Sequence, residues 1–150
     1  MAALVNRRTL RIEWGQCDPA GIVFYPQFLV IFDVSTGLLF ARTGLSAGEM
    51  RKKYGILGMP LAEQGARFLR PCRFDDDIVV ESEVEEWGRT SFTVRHRILN
   101  QAKLAADGFE KRVWAIADPD QPGKIKPVPI PDEIIASLSD PSGATTCSRN

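Results

Sequence analysis

Pro26 opens the stretch that most restricts what this chain can fold into. Beyond it Phe28, Ile31, Phe32, Ser35, Leu38 and Leu39 recur at helical spacing, while Leu29, Val30, Val34 and Phe40 widen the apolar stripe nearly all round. A helix that apolar requires cover on most sides. Proline suits the first helical position, where its missing N–H costs nothing, which makes Tyr25 the N-cap. Gly44 closes the helix in the usual left-handed role. Ser46-Ala47-Gly48-Glu49 then reads as a capping box opening a second, short helix that Gly55 stops.

The cover has to come from strands, because the rest of the chain alternates with period two. Residues 9–14 place Leu10, Ile12 and Trp14 on one face. Residues 56–70 form a long extended stretch in which Pro60 and Gly65 predict a bend or bulge. Residues 78–87 set Ile78, Val80 and Val84 opposite Glu81, Glu83 and Glu85, and Gly88-Arg89 supplies a hairpin turn. Residues 91–99 point Phe92, Val94, His96 and Ile98 inward, and residues 109–117 give the last strand. Pro127, Pro129 and Pro131 form an extended exit, after which Asp132 and Glu133 open a short amphipathic helix with Ile134, Ile135 and Leu138. Consecutive strands imply antiparallel pairing, so the class is α+β, with a sheet wrapped around the long helix. Residues 1–138 read as one domain, and the small, polar residues 139–150 read as a disordered tail.

Charge and cysteine content exclude several roles. The 150 residues carry 19 basic and 19 acidic side chains, so no net field draws the chain to nucleic acid or acidic lipid. The longest apolar run, residues 28–32, is far too short to span a membrane. With no apolar segment of export-signal length near Met1, a cytoplasmic location is expected, and Cys17, Cys72 and Cys147 are expected as reduced thiols. The single histidine, His96, excludes HExxH and His-pair metal sites.

Several motifs have bland explanations. Gly44-Leu45-Ser46-Ala47-Gly48 matches a nucleophile elbow in letters, but a helix rather than a strand precedes the serine, which leaves Ser46 as a helix cap. His96 occupies the apolar register of a strand, where a hydrogen-bonded core histidine is the common case. Asp75-Asp76-Asp77 reads as a solvated turn, and Arg89, Arg95 and Arg97 read as a solvated strand face or, alternatively, as a phosphate-binding rim.

Asp18 differs. Asp18-Pro19-Ala20-Gly21 fits a type I turn, and turn chemistry alone accounts for an aspartate there. Its surroundings add a second reading. Ile22, Val23 and Phe24 are apolar, and a helix N-terminus with unpaired N–H groups follows within seven residues. A carboxylate so placed could attack an activated acyl carbon or orient water onto it, with N–H groups from Tyr25 onward holding the oxyanion. A thioester is the natural partner, being more electrophilic than an amide.

The segment Asp18-Pro19-Ala20-Gly21-Ile22-Val23-Phe24-Tyr25-Pro26, the long helix with Asp33, and Arg70-Pro71-x-x-Phe74-Asp75-Asp76 resemble the hot-dog-fold acyl-CoA thioesterases of the 4-hydroxybenzoyl-CoA thioesterase type. Trp87-Gly88-Arg89-Thr90-Ser91-Phe92 and Arg95-His96 extend the resemblance over residues 8–137. It implies a five-stranded antiparallel sheet around the helix, in a homodimer pairing its sheets edge to edge or a homotetramer. It implies an acyl-CoA thioesterase acting on an aromatic or short-chain acyl group, without cofactor or metal, coenzyme A being part of the substrate. Asp18 would be nucleophile or general base, and the Tyr25 N–H would polarise the carbonyl. Phe24 and Phe28 of one chain, with Gly58, Met59, Pro60 and Leu61 of its partner, would line the acyl pocket. Arg89, Thr90 and Ser91 would meet the nucleotide phosphates. The alternative is a non-hydrolytic hot-dog protein that binds acyl-CoA or acyl carrier protein. A hot-dog dehydratase fits less well, since such enzymes carry a histidine near the helix start.

Overall fold

The computed structural model describes residues 3–143. In chain order it contains β1 (Asn6–Arg11), α1 (Pro26–Phe40), α2 (Ala47–Tyr54), β2 (Leu61–Phe68), β3 (Asp77–Trp87), β4 (Ser91–Asn100), β5 (Lys103–Val113), β6 (Ala115–Ala117), β7 (Ile125–Pro127) and α3 (Asp132–Leu138). Five strands form one antiparallel sheet in the order β1-β3-β4-β5-β2, and β6 pairs with β7 in a separate two-stranded ribbon.

α1 is covered by the sheet along its length. Phe28, Ile31 and Phe32 pack with Ile78, Val80, Ile98 and Ala106 at one end, and Leu39 and Phe40 pack with Val84, Phe92, Val94 and Trp114 at the other. The cover is incomplete, however: Val30 is 55% and Val34 46% exposed, so one stripe of the helix faces outward. Close approach of helix to sheet depends on Gly108, where an added Cβ would lie 2.5 Å from the Phe32 ring and 3.0 Å from the Gly65 carbonyl. Tyr25 is the N-cap with Pro26 at the first position. α1 ends at Phe40 and continues as a 3-10 turn, Ala41–Thr43, before Gly44 takes its left-handed conformation at φ 86°. The capping box at Ser46 and Glu49 and the left-handed Gly55 bound α2.

Three expectations need correction. The first strand lies earlier, at Asn6–Arg11, and its inward residues are Asn6, Arg8 and Leu10. Trp14 falls in a 3-10 turn held by reciprocal Glu13 and Gln16 bonds, and stands 70% exposed against Phe74. Gly65 makes no bend; the bulge in β2 falls between Leu61 and Glu63, and Gly65 instead makes room for the Phe109 ring. The fifth strand begins at Lys103, because β4 and β5 join through Gln101 and Ala102, both at positive φ without glycine. From residues 139–150, Pro141–Gly143 form a 3-10 turn, and residues 144–150 lie outside the described residues. Among the described residues no single helix is long and apolar enough to cross a membrane.

Candidate active site

The turn before α1 is a closed hairpin. Gly21 N–H donates to the Asp18 carbonyl at 2.9 Å, and Asp18 N–H donates to the Ile22 carbonyl at 2.9 Å. Cys17 pairs with Val23, and Phe24 N–H donates to Gln16. With Gly21 left-handed at φ 77°, this is a type I turn closed by a glycine bulge. The return strand is stitched onward: Ile22 pairs with Arg73, and Val23 N–H donates to the Cys72 carbonyl. The sequence therefore fixes Asp18 two residues up a rigid stem from Gln16 and Phe24, with Tyr25 one residue beyond the stem.

Asp18 is half-buried, and its Oδ1 accepts from Ala20 N–H at 2.9 Å. No hydrogen bond from a described residue reaches its Oδ2. The turn-forming and reactive readings are thus compatible, since one oxygen holds the turn and the other is open. At the helix start, Gln27 and Phe28 spend their N–H groups on the Phe24 and Tyr25 carbonyls. The Tyr25 N–H finds no acceptor among the described residues. It is an open donor at the positive end of a 15-residue helix.

Beside it lies an apolar cleft of about 330 Å³, lined by Ile22, Val23, Tyr25, Phe28, Phe68 and Leu69, among others. Phe28 is buried and its ring meets Phe68 at 5.3 Å, whereas Phe24 (48%) and Tyr25 (61%) are exposed. Cys72 also borders the cleft; burial is the main cause that raises its thiol to about 11, so it stays protonated at neutral pH.

The other site residues named from the sequence lie elsewhere. Gly58 bridges to Ala115, the Pro60 carbonyl accepts from Val113 N–H, and Leu61 pairs with Arg112, at the end of β2 opposite Phe68. Arg89, Thr90 and Ser91 form the β3–β4 hairpin, near the C-terminal end of α1. One chain therefore places Asp18 and Phe24 on the hairpin and Tyr25 and Phe28 on the wall of the adjoining cleft, which neither Asp18 nor Phe24 lines, and leaves both other groups at the far end of the sheet. Of the proposed basic rim, Arg95 is paired with Glu85 and Asp107, and Arg97 lies near Glu81 and Glu83.

His96 is the hydrogen-bonded core histidine its register implied, and the polar cluster it anchors was not anticipated. His96 is fully buried, stacked on Phe32 at 4.8 Å, with Nδ1 2.7 Å from Ser82 Oγ and Nε2 within 3.4 Å of Thr36 Oγ1 and Glu110 Oε2. Thr36 donates to Glu110 at 2.5 Å. Arg112 donates to both Glu110 oxygens, to Asp33 at 2.5 Å and to the Met59 carbonyl at 3.0 Å. One tautomer satisfies every partner: Ser82 O–H donates to Nδ1, and Nε2–H points at Thr36 and Glu110. Burial lowers the His96 pKa, so the ring is neutral. Burial pushes Glu110 up, but hydrogen bonds from His96, Arg112 and Thr36 outweigh it and hold the carboxyl at about 2. The available signal was the inward register of β5, where Glu110 and Arg112 follow Ala106 and Gly108. His96 reaches the middle of α1, about 15 Å from the helix start at 1.5 Å per residue, which argues against dehydratase geometry. Among the described residues no group of three His, Cys, Asp or Glu side chains could hold a metal ion.

A five-stranded antiparallel sheet around one central helix, with a carboxylate turn leading into that helix, is the hot-dog architecture. Residues 12–138 match the thioesterase-like superfamily, and the chain belongs to that family as a thioester hydrolase. It is 30% identical over 135 residues to the 4-hydroxybenzoyl-CoA thioesterase of Pseudomonas sp. (strain CBS-3), covering 86% of this chain and 94% of that one. A solved structure of a 4-hydroxybenzoyl-CoA thioesterase from that strain superposes with a TM-score of 0.82 at 30% identity, covering 90% of this chain and 99% of the other. A gentisyl-coenzyme A thioesterase superposes with a TM-score of 0.75 at 28% identity, over 88% and 98%.

Proposed function

We propose that this protein hydrolyses acyl-CoA thioesters with a small aromatic acyl group, using Asp18 as its reactive carboxylate. The observation that carries the reading is the open Asp18 oxygen on a stem leading to the unpaired Tyr25 N–H, beside a cleft with aromatic walls. The names of the similar proteins support the substrate class, since both act on aromatic CoA thioesters.

In one route Asp18 Oδ2 attacks the thioester carbon, the C–S bond breaks, CoA leaves as thiolate, and water hydrolyses the acyl anhydride to regenerate the carboxylate. In the other, Asp18 takes a proton from water as it attacks, and the thiolate collects that proton on leaving. Either way, negative charge develops on the carbonyl oxygen, and the Tyr25 N–H at the helix N-terminus stabilises it. The Phe28 and Phe68 rings suit a flat acyl group.

The complete site belongs to two chains. β2 is a sheet edge whose side chains are mostly exposed, including Leu61 and Phe68. Antiparallel pairing of β2 with a second copy would set the Leu61 end of one chain beside the Phe68 end of the other. Gly58, Met59, Pro60 and Leu61 of the partner would then close the cleft beside Tyr25, and Arg89, Thr90 and Ser91 of the partner would approach from the same side. A thiol-release assay across aromatic, short-chain and long-chain acyl-CoAs tests the substrate class. The highest kcat/KM is expected with an aromatic acyl group; a uniform or long-chain preference would contradict it.

A further inference from the structure

Two arginines of the described residues are buried, and they differ in their partners. Arg112 meets the carboxylates of Glu110 and Asp33. Arg8, on the inward face of β1 and only 7% exposed, donates from Nε to Ser35 Oγ at 3.1 Å and from Nη2 to the Ile31 carbonyl at 3.2 Å. Both acceptors are neutral. Arg8 forms no ion pair among the described residues, and burial lowers its pKa with no carboxylate to raise it back. A buried guanidinium without a counterion is costly. Its Nη1 bonds to no described residue, yet every fully buried side-chain polar atom among them has a partner, so Nη1 opens onto the space beside it.

That space is a cleft of about 450 Å³, which Arg8 lines. It lies within the roughly 300–1,000 Å³ of small-molecule sites. Trp14 and Phe74, packed edge to face at 5.4 Å, line it on one side, and Val30 and Val34 of α1 line it on another. All four are exposed apolar side chains. Arg11 also borders the cleft but is spent on both Asp77 oxygens, and Glu13 and Asp75 add negative charge to the lining. No lining residue is shared with the cleft beside Tyr25. β1 is the sheet edge opposite β2, so pairing through β2 leaves this cleft open.

We infer that the cleft is a binding site for a small aromatic carboxylate, with the carboxylate on Arg8 and the ring between the Trp14–Phe74 pair and the α1 valines. A guanidinium edge with unspent N–H groups matches the two oxygens of a carboxylate, and the aromatic and branched walls suit a flat ring. One cation facing Glu13 and Asp75 suits a single negative charge and disfavours a doubly charged phosphate ester. The site stands whether or not Asp18 is the reactive carboxylate.

Calorimetric titration of the full chain with benzoate, and with its neutral counterpart benzamide, tests the site, with thermal melting as the folding control. Wild type should bind benzamide at least about tenfold more weakly than benzoate, the worth of a charge-assisted hydrogen bond. Arg8→Met should bind benzoate about tenfold more weakly and lose the preference over benzamide. Its melting temperature should hold or rise, because an uncompensated buried charge is removed and Ser35 Oγ keeps its bond to the Ile31 carbonyl. Val34→Trp keeps Arg8 and fills the cleft from an exposed helix position, and it should weaken benzoate binding as strongly. Phe68→Ala, which alters the cleft beside Tyr25, should leave benzoate affinity at the wild-type value. No saturable benzoate binding by wild type, equal affinity for benzoate and benzamide, or wild-type affinity in Arg8→Met or Val34→Trp would overturn the proposal. A loss confined to Phe68→Ala would do the same, by moving the ligand to the other cleft.

Discussion

The Asp18 turn and the His96 cluster are opposites. The cluster is dry and complete: His96, Thr36, Ser82 and Glu110 are buried, and no buried side-chain polar atom among the described residues lacks a partner. The turn is wet and incomplete, with one carboxylate oxygen and one backbone N–H unspent. Strongly perturbed titratable groups are often taken as markers of function. Here one strongly perturbed group, Glu110, belongs to the sealed region, and every hydrogen bond that lowers its pKa is one a substrate would have to break. The cluster fastens α1 to the sheet, and the turn has free valence for chemistry.

That division can be broken by experiment. Replacing Glu110 with Ala removes the buried carboxylate shared by Arg112, Thr36 and His96 and leaves Arg112 only one acidic partner, the exposed Asp33, and urea unfolding should show a loss of about 3–5 kcal/mol. A loss well under 1 kcal/mol would mean that the cluster does not hold the fold. Gly108→Ala drives a Cβ into the Phe32 ring that stacks on His96, and the same measurement should read about 1–3 kcal/mol. Stability should also fall in acid by two steps. His96 is kept neutral in the fold, so below its ordinary value of 6.5 the unfolded chain takes up a proton that the native state refuses. Glu110, held at about 2 against an ordinary 4.5, loses its contribution as pH falls through that lower window. A His96→Gln variant should lack the first step and retain the second. The smallest effect is expected far from both regions: Ser46→Ala removes the α2 cap and should cost about 1 kcal/mol without altering turnover.

Much of this was legible in the sequence, for reasons that differ between regions. The burial of Phe28, Ile31, Phe32 and Leu39, the alternation in β3 and β4, and the caps at Ser46, Gly44 and Gly55 follow from local periodicity and backbone chemistry. The start of β1 did not, because its inward face carries Asn6 and Arg8, which are satisfied only by distant groups: Arg8 bonds Ser35 and the Ile31 carbonyl, and Asn6 accepts from Arg42. Apolar alternation therefore pointed to Trp14, which the 3-10 turn expels. The β4–β5 turn was missed because Gln101 and Ala102 adopt positive φ without the usual glycine or asparagine. The turn at Asp18 and the helix start at Tyr25 were readable because both follow from local backbone chemistry. The His96 cluster joins α1, β3, β4 and β5, and no spacing in the chain announces such a contact.

The most direct measurement of the central claim is single-turnover thiol release from an aromatic acyl-CoA by Asp18→Asn, beside wild type and Ser46→Ala. Asparagine keeps an oxygen for Ala20 N–H, so the turn and the melting temperature should survive, while the rate falls by about 10²- to 10⁴-fold. A near wild-type rate from a folded Asp18→Asn protein would contradict the account, leaving Asp18 a turn former and moving the chemistry elsewhere.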